Sequence, residues 1–125
     1  MEIAYQGLLW ISILSFGATG LLFLYDPARW AGSLGIEALT DAGKVDLRAT
    51  YGGALLALAL FWFWCALDPS RGPAGLWSMC LVYGGLALGR SLGWLGGHQL
   101  DRKMVVFLVF EVFAVGLCVA IIAGV

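Results

Sequence analysis

Four long apolar runs, separated by short polar breaks, set the pattern of this chain. Ile3 to Tyr25 and Ala49 to Leu67 carry no charge at all. Pro73 to Leu95 is interrupted only by Arg90, and Met104 to Val125 only by Glu111. Each run approaches the ~20 residues that carry a helix across a ~30 Å hydrocarbon layer. Backbone polar groups in lipid must be satisfied within their own segment, so each run is expected to be a helix. The expected spans are about 3–25, 47–67, 73–95 and 104–125, in a single transmembrane domain covering 1–125.

The breaks carry turn chemistry. "YDPARW" closes the first run, because Pro27 has no N–H to continue a helix. "DPSRGP" is short enough to force an antiparallel hairpin between runs two and three. "GGHQLDRK" does the same between runs three and four. The longest break, Asp26 to Asp46, contains "SLGIEALTDAGKVDL", which predicts at most a short interfacial helix weakened by Gly43. Glu2, with no Lys or Arg before the first run, is the wrong charge for a signal peptide. The first run is therefore expected to be a retained span.

Composition agrees with lipid. Hydrophobic residues make up 62% of the 125-residue chain and charged residues 12%, against roughly 45–50% apolar in soluble proteins. So small a domain would need far more polar surface to be soluble. The net charge of −1 and the lack of a basic patch argue against a nucleic-acid partner. Lys and Arg set the orientation. Arg29, Lys44, Arg102 and Lys103 lie in breaks one and three, with Arg48 and Arg90 near the same side, whereas the other side has only Arg71. The positive-inside rule then places breaks one and three in the cytoplasm and both termini outside.

Two charges lie inside the runs. Arg90 stands ten residues before Leu100, and Glu111 ten residues after Asp101. An antiparallel hairpin centred there brings them to the same depth. Glu111 is seven residues past Met104, so ~10 Å into the span at 1.5 Å per residue. Such charges face a bundle interior and a partner, which predicts an Arg90–Glu111 pair. Arg48 enters from the same end, with Tyr51, Gly52 and Leu55 on its side of the helix, while Tyr83 and Trp94 share a face with Arg90. Arg48, Tyr51, Tyr83, Arg90 and Glu111 form the expected charged cluster. It is either a structural clamp or a ligand site. The excess of arginine would suit a lipid phosphate, a carboxylate or a quinone carbonyl. No cofactor is expected beyond such a bound lipid or quinone, and no metal.

Gly85, Gly89, Gly93 and Gly97 recur every fourth residue, a ridge of the kind that admits a neighbouring helix closely. Gly53 and Ala57 offer a shorter one, and Gly52 is also expected to serve helix packing. Intrachain packing and a protein–protein face are the two readings. Trp10, Trp62, Trp64, Trp77 and Trp94 mostly fall near span ends, where an aromatic belt is expected. Cys65, Cys80 and Cys118 form no CxxC motif and read as small buried hydrophobes. His98, the single histidine, has no partner for a metal pair or a triad and reads as a surface residue. No phosphate-cradling loop, HExxH motif or serine nucleophile motif is present.

"DLRATYGG" (46–53), then "GGLALGRSLGWLGG" (84–97), then "FEV" (110–112) in the last run, resembles a small bacterial four-helix membrane family catalogued as domain of unknown function 4345. The resemblance covers nearly the whole chain. It implies a multi-pass protein of the bacterial inner membrane, with Arg48, Tyr51, Gly52, Gly53, Gly89, Arg90 and Glu111 as shared positions. It implies no activity and no catalytic residue.

The chain is thus expected to be all-α, an integral-membrane four-helix bundle of up-down antiparallel topology. Its expected role is non-enzymatic: an accessory or assembly subunit packing against a larger membrane complex, or against a second copy of itself. The alternative is a binder or transporter of a lipid, quinone or small anion through the Arg/Glu cluster. An intramembrane redox enzyme is a third possibility, disfavoured by the lack of paired cysteines or a second histidine.

Overall fold

A computed structural model describes residues 2–124, and its regular structure is all helical, with no strand among them. α1 spans Glu2–Tyr25, α2 Pro27–Ser33, α3 Asp41–Leu47, α4 Leu55–Ala66, α5 Gly72–Leu95 and α6 Arg102–Ile122. A π-helical turn, Arg48–Ala54, joins α3 to α4. Val125, the last residue of the expected fourth span, lies outside the described residues. Three stretches are long and apolar enough to cross a membrane: Glu2–Tyr25, the continuous rod Asp41–Ala66, and Arg102–Ile122. α5 forms a helix over the expected third run and is 24 residues long, as α1 is, but it is not one of those three. Its glycines and Arg90 leave it less apolar than the other three.

The ends follow from local chemistry. Asp26 caps α2 by accepting a hydrogen bond from the Arg29 N–H at 3.3 Å, with Pro27 in the first turn. Pro27 therefore opens a new helix as well as closing the first run. Thr40 caps α3 by accepting from the Gly43 N–H at 3.1 Å. The second span accordingly starts at Asp41, six residues earlier than expected, and no separate interfacial helix covers Ser33 to Leu47. Residues 34–40 are non-helical. Asp101 caps α6 through the Met104 N–H at 2.8 Å. α5 ends in a Schellman motif: the His98 N–H donates to the Gly93 carbonyl and the Gly97 N–H to the Trp94 carbonyl. Gly97 has φ +96°, the left-handed conformation that this motif requires.

The chain divides into two compact units, described separately. One contains residues 10–68. There α1 runs antiparallel to the Asp41–Ala66 rod, with a ladder of contacts between them. Trp10 meets Phe63 edge-on at 6.2 Å, and Phe16 meets Trp62 edge-on at 4.9 Å. Phe23 stacks on Tyr51 at 5.0 Å. Trp62 is fully buried, so it belongs to the core and not to an interfacial belt; Trp10 and Trp64 are exposed. The other unit contains residues up to Leu9 and from Pro69 onward. Its main body is the α5–α6 hairpin, where Tyr83 meets Phe110 edge-on at 5.6 Å.

Candidate functional site

α6 is turned inside out with respect to a soluble helix. Val106, Val109 and Phe113 are more than half exposed, while Glu111 is only 4% exposed. Glu111 shares its buried face with Ala114 and Cys118, at i+3 and i+7. A carboxylate buried this way needs a cation. Arg90 supplies it from α5: its Nη1 donates to Glu111 Oε2 in a part-buried ion pair. The guanidinium also lies 5.2 Å from the centre of the Phe107 ring, one turn before Glu111 on α6. Tyr83, buried two turns from Arg90, packs on Phe110 beside Glu111.

The pair is incompletely satisfied. One guanidinium N–H and one carboxylate oxygen hold the two side chains together. Arg90 Nε and Glu111 Oε1 are also buried, and neither has a hydrogen-bond partner. A group that offers this buried pair a donor and an acceptor would remove both deficits.

Arg48, Tyr51, Gly52 and Gly53 fall in the other unit. Arg48 is exposed, where an inward-facing side chain was expected. Its Nε donates at 3.1 Å to the Leu24 carbonyl, in the last turn of α1. That carbonyl has no partner further along its own helix, so Arg48 closes the C-terminus of α1. Gly52 is where α1 and the rod come together. A Cβ there would lie 2.9 Å from the Leu24 side chain and 3.1 Å from its backbone nitrogen. Opposite, a Cβ on Gly20 would lie 2.8 Å from the Leu56 nitrogen and 2.9 Å from the Gly52 carbonyl oxygen. The close helix crossing is therefore Gly20 on Gly52, within the π turn. Gly53 has open space around it.

The glycine ridge of α5 behaves differently from the intrachain packing reading. A Cβ on Gly85, Gly89 or Gly93 would meet nothing within 4 Å among the described residues. Gly85 and Gly89 are exposed, beside exposed Leu81, Leu88 and Leu92. Gly97 serves the turn. Sequence reading missed Gly20, which follows Gly17 by three residues in the first run and belongs to no four-residue repeat. It also missed Phe107, although the i−4 spacing from Glu111 was available. Among the described residues, no three His, Cys, Asp or Glu side chains are grouped for a metal ion.

Fold and site together define an all-helical protein with membrane-length apolar helices and a buried ion pair in its last helical hairpin. The chain belongs to the family described as Domain of unknown function (DUF4345), whose model matches residues 4–122. That match takes in both the Arg48–Gly53 segment and the Arg90–Glu111 pair. Neither a curated protein nor a solved structure matches the chain.

Proposed function

We propose that this is a four-span protein of the bacterial inner membrane, with both termini on the non-cytoplasmic side. In this reading it works by association, as a small accessory or assembly subunit. The observation that carries the reading is the open ridge of α5. Lipid chains gain nothing from a glycine face, whereas a second helix gains close van der Waals approach. Gly85 and Gly89 are exposed between Leu81, Leu88 and Leu92, and among the described residues of its own unit no side chain fills the ridge. A partner helix, from a larger complex or a second copy, fits that surface. The test is Gly89→Leu, which should release the partner while leaving the monomer folded. A partner that stays bound to a folded Gly89→Leu protein would count against the reading.

A second reading, ligand binding at the Arg90–Glu111 pair, is favoured by one observation. Both Arg90 Nε and Glu111 Oε1 are buried and unpartnered.

A further inference from the structure

Resting on the ligand-binding reading, we propose that the α5–α6 hairpin binds the hydroxyl head of a neutral amphiphile, and does not bind an anion. Arg90 and Glu111 neutralise one another. An added carboxylate or phosphate would leave a buried negative charge uncompensated, and an added cation a positive one. What the pair lacks is one acceptor for Arg90 Nε–H and one donor for Glu111 Oε1. A carbonyl or an ester oxygen only accepts, so it leaves the carboxylate oxygen unsatisfied. A hydroxyl accepts and donates, and so has the chemistry to meet both needs.

The same hairpin also carries a groove. An open groove of about 390 Å³ is lined by Trp94, Gln99, Leu100, Val105 and Leu108, a volume within the ~300–1,000 Å³ common for ligand sites. Trp94 follows Arg90 by four residues on α5, and Leu108 precedes Glu111 by three on α6. Both spacings keep the groove on the helix faces that carry the pair, about one turn nearer the connecting turn. The wall is mostly apolar, with the Gln99 amide as its polar side chain. An apolar chain in the groove with its head toward the pair matches this arrangement. A lipid glycerol hydroxyl and a quinol hydroxyl share the required chemistry.

The test uses the full-length protein in phosphatidylcholine nanodiscs. Three probes share one dibrominated octadecyl chain: the alcohol, the ionised carboxylate and the methyl ester. Bromine quenches tryptophan, and the Trp94 component is the difference between the wild type and Trp94→Phe. The alcohol should saturate that component at about one tenth of the concentration needed by the ester, a ratio of about 1.4 kcal/mol. The carboxylate should do no better than the ester. Glu111→Gln frees the charge of Arg90 and should turn the preference to the carboxylate. The double change Arg90→Gln with Glu111→Gln should erase the advantage of the alcohol. Unbrominated diacylglycerol and a decyl-substituted quinol then compete with the alcohol, and the stronger competitor identifies the lipid or the redox-active source. Carboxylate preference in the wild type overturns the hydroxyl proposal and leaves the binding reading standing. No saturable Trp94 component with any probe overturns both, and displacement by neither competitor overturns the proposal.

Discussion

Glu111 owes its position to Arg90, and the two residues make sense only as a pair. A lone arginine or a lone carboxylate in an apolar span is costly; the two together are tolerated. Glu111→Gln should therefore destabilise the protein by ~3–5 kcal/mol, because it leaves Arg90 with no counter-charge. The double change to Gln at both positions should cost less than Glu111→Gln alone. Unfolding titrations in mixed micelles measure this, and strictly additive losses would contradict a direct coupling. The two glycine classes separate just as sharply. Gly20→Ala forces a methyl against backbone atoms at 2.8 and 2.9 Å, and overpacking of that kind costs ~1–3 kcal/mol. Gly85→Ala meets nothing within 4 Å and should leave monomer stability unchanged or raise it by up to ~1 kcal/mol. Sequence spacing brought Arg90 and Glu111 together, because both sit the same distance from a short turn. It gave no means of telling Gly20 from Gly85. Four-residue repetition draws attention to a ridge, but closeness of approach depends on which helix lies opposite.

At the scale of elements, long apolar runs with at most one charge were enough to find every long helix, and polar punctuation gave most ends within a residue or two. The largest departure is the start of the second span. Gly43 weakened the expected short interfacial helix, yet Thr40 caps a helix that runs from Asp41 through Arg48 and on to Ala66. One weak helix former is outweighed by a cap and by continuity with a long apolar helix. Thr40→Ala should cost about 1 kcal/mol and shorten the rod, read as lost amide protection at residues 41–45. The π turn at Arg48–Ala54 had no legible signal beyond its paired glycines. It lies where the rod meets Gly20 and Leu24, and π turns often mark sites where a helix is reshaped by what packs on it. Gly97 was assigned to the ridge because it continued the repeat. Its φ of +96° shows that it belongs to the Schellman end of α5. Gly97→Ala should cost ~1–2 kcal/mol and register as a lower melting temperature, while Gly93→Ala, four residues earlier, should not.

The whole molecule is apolar outside and polar at a few interior points, the arrangement that lipid selects. Exposed Ile3, Leu14, Leu81, Val109 and Phe113 would be untenable facing water. The proposed orientation rests on Arg29, Lys44, Arg102 and Lys103 against Arg71 alone. Alkaline phosphatase fused after the C-terminus should be active, and a fusion placed in the 96–101 turn inactive. The reverse pattern would invert the topology. Association follows from α5, which presents Gly85 and Gly89 to its surroundings with nothing against them among the described residues of its unit. Native mass spectrometry of the protein released gently from its own membranes, alongside Gly89→Leu, tests it most directly. The wild type should give a mass with a second polypeptide, or a second copy, at fixed stoichiometry, and Gly89→Leu a folded single chain. A wild-type protein that emerges only as a single chain, or an assembly indifferent to Gly89→Leu, would contradict it.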